Sequence, residues 1–258
     1  MVAPIVEIRD LSKRFQSHDG GLTLALDQVS LQIQLGQFVS VVGPSGCGKS
    51  TLLAILAGVM ERSEGTVMLR GAEVRGPRRD VGVMFQEALL LPYRTVLQNI
   101  MLPAIIHKLP QEEYLARARR LLKLVQLDGF GDRYPSELSG GMQQRAAIAR
   151  GLLHDPAILL MDEPFGALDA MTREQMNLDL LDIWSAARKT VLLITHSIAE
   201  AVFLSDVVVV MSPRPGRIVD MLEIDLPRPR RLAMMATPSF GAYAERIRAC
   251  LGLRGSAE

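Results

Sequence analysis

The chain has 258 residues, 48% of them hydrophobic and 22% charged, with a formal net charge of +1. That length fits one generous α/β domain, or a core carrying an inserted subdomain, and near neutrality excludes the broad basic footprint of a nucleic-acid-binding domain. Mean hydropathy is +0.19, yet the most apolar runs, Ile158–Met161, Val191–Ile194 and Val207–Met211, fall far short of the roughly 20 residues of a membrane-spanning helix.

In chain order, Glu7, Arg9, Asp10, Lys13 and Arg14 exclude a signal peptide over the first fifteen residues. Between residues 25 and 35, Val29, Leu31, Ile33 and Leu35 alternate with polar residues, the period of a half-buried strand. With Val6–Phe15 this predicts an antiparallel sheet edge. Phe38–Val42 reads as a buried strand that enters a glycine-rich turn, followed by a helix over Lys49–Ala57 stopped at Gly58. From about residue 88 to 155 the pattern turns helical. Pro110 suits the first helical position, Glu112 and Glu113 complement the helix's positive end, and Leu115, Ala118, Leu122 and Val125 make one apolar face. Strand–helix alternation then resumes with strand Ile158–Asp162, a helix over Thr172–Arg188, strand Val191–Thr195, a helix from Ser197 and strand Val207–Met211. Both helices begin with capping-box spacing, Thr172/Gln175 and Ser197/Glu200. Such alternation predicts a parallel sheet. Beyond Met211 the composition becomes rich in proline and arginine, and no fold is legible there. Cys47 and Cys250 make no disulfide framework and point to a reducing compartment. His18, His107 and His154 read as scattered surface residues, and Arg75/Arg78/Arg79 and Arg117/Arg119/Arg120 as exposed faces.

Gly43-Pro44-Ser45-Gly46-Cys47-Gly48-Lys49-Ser50 matches the P-loop pattern between a strand and a helix. Its glycines turn successive backbone N–H groups toward one point, where the helix's positive end also attracts phosphate. Lys49 is expected on the β- and γ-phosphates of ATP and the Ser50 hydroxyl on Mg²⁺, with Thr51 completing the set. At the end of the apolar strand Ile158–Met161 stand Asp162 and Glu163, where open α/β sheets place ligands. Asp162 is expected to hold Mg²⁺ and Glu163 to orient or deprotonate the attacking water. Cys47, among the phosphate-binding amides, is expected to block ATP binding when alkylated.

Leu138-Ser139-Gly140-Gly141-Met142-Gln143-Gln144-Arg145 resembles the signature octapeptide of the ABC ATPase family. Ser139, Gly140 and Gly141 open a helix running to about Leu153, so bare N–H groups and a hydroxyl form a second anion site. The resemblance extends over roughly residues 5 to 220. It implies an α/β fold with a P-loop NTPase (RecA-like) core over 1–87 and 156–220, an antiparallel β subdomain, a helical subdomain inserted at about 88–155, and a tail from 221. It further implies that the second anion site faces the P-loop of a partner subunit, so that ATP is held between two copies. Four further positions follow in order. Gln86 is similar to the loop glutamine that touches Mg²⁺ and the attacking water, and His196 to the switch histidine at the γ-phosphate. Asp169, in Gly166-Ala167-Leu168-Asp169, resembles the loop that crosses the dimer interface, and Phe15 the aromatic residue that stacks on adenine, with an unrelated core role left open.

Phe85-Gln86-Glu87-Ala88-Leu89-Leu90-Leu91-Pro92 and Asp162-Glu163-Pro164-Phe165-Gly166-Ala167-Leu168-Asp169 look like bacterial importer subunits. Met211-Ser212-Pro213-Arg214-Pro215-Gly216-Arg217-Ile218 is similar to the nitrate/sulfonate/taurine branch. The resemblance therefore implies an ATP-hydrolysing subunit on the cytoplasmic side of a bacterial inner membrane. Its expected partners are a second ATPase subunit, membrane permease subunits docked on residues 87–110 and, indirectly, a solute-binding protein, with no nucleic acid. An exporter subunit, a soluble ABC ATPase and a non-hydrolysing module are the alternatives. A chain ending near residue 258 is expected to lack the large regulatory domain of sugar-type importers.

Overall fold

The computed structural model describes residues 3–16 and 21–252, so His18 lies outside the described residues. The backbone divides into two compact units, Met1–Arg78 with Thr190–Glu258, and Arg79–Lys189.

The first unit opens with β1 (Val6–Gln16) and β2 (Leu22–Ile33), antiparallel with Val6 opposite Ile33 and Ile8 opposite Leu31. Val29, Leu31 and Ile33 are buried while Ser30 and Gln32 are exposed, as the alternation predicts. Leu35 departs from that pattern and is 70% exposed. The strand stops at Ile33, and Gln37 N–H closes a turn on the Gln34 carbonyl, so Leu35 caps a turn instead of facing the core. β3 (Phe38–Val42), buried throughout, runs into α1 (Lys49–Leu56). β4 (Glu64–Leu69) and β5 (Ala72–Glu73) complete an antiparallel sheet in the order β2-β1-β4-β5.

The second unit contains β6 (Val81–Met84), α2 (Val96–Ile100), α3 (Leu102–Ile106), α4 (Gln111–Leu124), α5 (Gly140–Leu152), β7 (Ile158–Asp162) and α6 (Ala170–Ala187). β6 and β7 pair in parallel, Val81 with Ile158 and Met84 with Met161. On α4, Ala118, Leu121, Leu122 and Val125 are buried and Leu115 only partly so. Pro110 is the residue before the helix, not its first. α6 also begins earlier than its Thr172/Gln175 pair suggests. The Asp169 carboxylate accepts the Thr172 N–H at 3.0 Å, and an aspartate cap at 169 outcompetes a threonine cap three residues later because it satisfies the orphan donors first.

The chain then returns to the first unit with β8 (Thr190–Ile194), α7 (Ile198–Leu204), β9 (Val207–Met211), β10 (Ile218–Glu223) and α8 (Pro238–Cys250). β3 lies in parallel between β8 and β9, and β10 adds antiparallel to β9. The tail is ordered by burial. Phe240, Ala244 and Ile247, on one face of α8, are within the core. Arg230 is 6% exposed and donates to the Val202 and Phe203 carbonyls at the end of α7. Among the described residues no helix is long and apolar enough to cross a membrane.

Candidate nucleotide-binding site

In the first unit the turn between β3 and α1 has the backbone its glycines predict. Gly46 and Gly48 have φ of +75° and +109°, a region closed to most side chains. A Cβ on Gly48 would stand 2.7 Å from Leu26 Cδ2 and 2.9 Å from the Ala25 carbonyl. Gly48 is also the residue before α1, so the N–H groups of Lys49, Ser50 and Thr51 lack intrahelical acceptors. Lys49 is 6% exposed; its Nζ donates to the carbonyls of Gly43 at 2.8 Å and Pro44 at 3.1 Å. A buried ammonium beside the converging N–H groups of a helix start gives the loop a strong preference for an anion. Ser45 and Ser50 are exposed.

Phe15, near the end of β1, is 37% exposed, which removes the core role left open for it. Its ring carries Lys13 Nζ at 5.1 Å and pairs across the sheet with Thr23, three residues from the Leu26 that touches Gly48. His196 is exposed just beyond β8. Thr195 Oγ1 bonds the Glu200 carboxylate and accepts the Ser197 N–H at 3.0 Å, so both neighbours of His196 are fixed. Ser197 caps α7 as its spacing suggests, accepting the Glu200 N–H. Glu200 does not close the capping box; its Oε2 bonds Thr195 instead.

In the second unit, Asp162 ends β7 and Glu163 follows in the left-handed region at φ 45°, a sparsely populated conformation that turns the side chain out of the strand's alternation. Gln86 comes to the same place. A Cβ on Gly166 would stand 3.2 Å from Gln86 Nε2 and 3.7 Å from Glu163 Oε2. Ser139 is the N-cap of α5, its hydroxyl accepting the Met142 N–H at 3.3 Å, with Ser139 and Gly140 exposed. A Cβ on Gly140 would touch Leu168 Cδ2 at 3.4 Å, and one on Gly141 would touch Thr172 Cγ2 at 3.2 Å. The Ser139–Gly141 turn and the Gly166–Asp169 loop thus pack together. The Asp169 carboxyl, bonded to Thr172, sits below the usual carboxylate range.

A model of the ABC transporter family matches residues 26–166. The chain belongs to that family. It is 46% identical over 254 residues to the taurine import ATP-binding protein TauB of Rhizobium johnstonii, covering 96% of each chain. To the aliphatic sulfonates import ATP-binding protein SsuB of Bacillus cereus it is 44% identical, covering 87% of this chain and 88% of that one. Among solved structures it is similar to the dimeric post-hydrolysis ATP-binding cassette MJ0796 bound to ADP and Pi, at a TM-score of 0.74 and 33% identity over 86% of this chain and all of that chain. The fold is therefore that of an ABC ATPase with a P-loop NTPase core.

Two expectations for this ABC ATPase change. The Cys47 side chain is wholly buried, its Sγ 2.9 Å from where a Gly43 Cβ would stand. Lys49 Nζ lies 3.9 Å from that sulfur, so the thiol is packed inside the loop and its alkylation is hindered. His154 is half-buried, not a solvated surface residue. A ring nitrogen pairs with the Val81 carbonyl at 3.2 Å, its ring lies 5.8 Å from that of His107, and burial holds its pKa below the ordinary value despite that carbonyl.

Three positions carry structure that the motif reading leaves unassigned. Gln144 Nε2 donates to the Gln86 carbonyl at 2.8 Å. Arg145 pairs with Asp179, which is 4% exposed at its side chain. Arg214 Nε donates to the Gly46 carbonyl at 3.2 Å. The first two lie within the signature octapeptide, where periodicity on α5 places residues 144 and 145 toward the protein; the third lies in a turn that nothing local ties to the P-loop.

Proposed function

We propose that the chain is the ATP-binding and ATP-hydrolysing subunit of an importer for a small organic anion of the sulfonate or taurine type. Similarity to taurine and aliphatic sulfonate import ATP-binding proteins across 96% and 87% of the chain carries this reading. The N–H groups of Gly43 and of residues 45–51 bind the phosphates with Lys49, and Phe15 offers its exposed π-face to adenine. Glu163 takes or orients the proton of the attacking water, Gln86 and His196 fix that water and the γ-phosphate, and Asp169 with Ser139, Gly140 and Gly141 serves the nucleotide of a second copy. Mg²⁺ fits the donor set: the oxygens of Ser50, Asp162 and Gln86 are hard ligands, and phosphate oxygens would complete the shell. That ion supplies charge neutralisation at the phosphates.

The subunit works as a dimer on the cytoplasmic face of the membrane. Permease subunits dock on the second unit, where a cavity of about 380 Å³ is bordered by Phe85, Leu89 and Ile106, at 47%, 53% and 70% exposure. A solute-binding protein delivers substrate to them. The test is reconstitution with the permease and binding protein in vesicles: ATP hydrolysis should rise with taurine or an alkanesulfonate outside, and flat hydrolysis across such anions would contradict the assignment.

A further inference from the structure

The turn Ser212-Pro213-Arg214-Pro215-Gly216-Arg217 joins β9 to β10. It is braced internally: Ser212 N–H donates to the Arg217 carbonyl at 2.9 Å and Arg217 N–H to Ser212 Oγ at 3.0 Å. It is also fastened to β2. Gly216 N–H donates to the Ala25 carbonyl, Asp27 N–H to the Gly216 carbonyl, and Arg217 is neutralised by Asp27. A Cβ on Gly216 would stand 2.1 Å from the Cys47 carbonyl, so glycine is required for the turn to lie against the P-loop. Proline on either side of Arg214 removes local backbone freedom. The consequence is that one exposed guanidinium is carried to a fixed place: its Nε on the Gly46 carbonyl at 3.2 Å and Nη2 3.7 Å from where a Gly46 Cβ would be. Arg217 and Arg228 have carboxylate partners; among the described residues Arg214 has none.

We propose that Arg214 is a positioning residue for the nucleotide's phosphates, holding the Gly46–Cys47 peptide and adding a fixed positive charge beside the loop. In a trans peptide the C=O and the following N–H point in opposite directions. Anchoring the Gly46 carbonyl outward therefore turns the Cys47 N–H into the loop, where it donates to the Pro44 carbonyl at 3.3 Å, a bond that a phosphate oxygen would replace. Gly46 has φ +75° and no side chain, so this peptide is held by two hydrogen bonds, its carbonyl to Arg214 and its N–H to the Pro44 carbonyl. A hydrogen bond from a charged donor also polarises the peptide, making its N–H a better donor to phosphate. The guanidinium suits this role better than an ammonium, since its remaining N–H groups keep a planar orientation.

The proposal rests on the nucleotide-binding reading above, and the experiment separates the two. Binding of fluorescent ATP and ADP analogues to the full chain is measured for wild type, Arg214→Met and Arg214→Lys, at low and high salt, alongside melting without nucleotide. Arg214→Met should weaken both nucleotides about tenfold, with a shallower salt dependence. Arg214→Lys should recover the salt dependence but only part of the affinity, and melting without nucleotide should not move. Affinity within twofold of wild type, or a loss matched by a lower melting temperature without nucleotide, would overturn the role. Wild type failing to bind either analogue would instead overturn the nucleotide-binding reading.

Discussion

Gln144, on the second turn of the signature helix α5, donates its amide N–H to the carbonyl of Gln86 at 2.8 Å. The octapeptide thus does more than open an anion site at its first residues; further along, it holds the loop whose side chain reaches the same space as Glu163. Gln144 is 4% exposed, and replacing it with leucine leaves the Gln86 carbonyl without this donor. Gln144→Leu should lower the ATP turnover rate about tenfold while nucleotide affinity stays near wild type. Steady-state kinetics beside equilibrium binding checks this; an affinity loss equal to the rate loss would contradict it.

Arg145 and Asp179 join the same helix to α6, and Gln175 Nε2 donates to the other Asp179 oxygen at 3.0 Å. Removing one member leaves a buried charge unpaired. Asp179→Ala should cost about 3–5 kcal/mol of stability, whereas the double replacement Arg145→Met with Asp179→Leu should recover much of that loss. Denaturant melts of the single and double variants measure the difference.

His154 makes stability depend on pH. Burial, His107 and Arg117 disfavour its charge, against the Val81 carbonyl and Asp155, which favour it. With the folded pKa below the unfolded value of about 6.5, the unfolded chain binds the extra proton. Stability is therefore full above about 6.5 and declines as the pH falls through the folded pKa. His154→Gln, which can still bond the Val81 carbonyl, should flatten the melting temperature between pH 7 and 5.

The buried thiol of Cys47 gives a fourth expectation. A maleimide should label Cys47 only after denaturant opens the loop, because Sγ is enclosed by Gly43 and the P-loop backbone. Mass mapping of labelled peptides checks it; rapid labelling of the folded chain would contradict the packing.

Much of the fold is readable before any coordinates. A strand period marks β2, apolar runs mark β7, β8 and β9, and the glycine spacing marks the P-loop turn. The misreadings share a cause. Leu35, Thr172 and Pro110 sit at element ends, where a cap or turn one to three residues away decides the boundary and local propensity does not. The tail illustrates another limit. Phe240, Ala244 and Ile247 have helical spacing, but the proline- and arginine-rich approach hides it, and Arg230 becomes intelligible only when the carbonyls at the end of α7 stand around it. At the site, chemistry-bearing side chains are visible in motifs, whereas Gln144 and Arg214 act through backbone carbonyls 58 and 168 residues away, a relationship no short motif encodes.

Shared binding of ATP by the P-loop of one copy and the Ser139–Gly141 helix start of another is tested most directly by light scattering on the Glu163→Gln variant, with and without Mg-ATP. Without nucleotide the variant should be monomeric, with nucleotide its mass should double, and adding Gly140→Asp, a carboxylate at the exposed helix start, should abolish the doubling. A monomer at every ATP and protein concentration, or a dimer indifferent to Gly140→Asp, would contradict it.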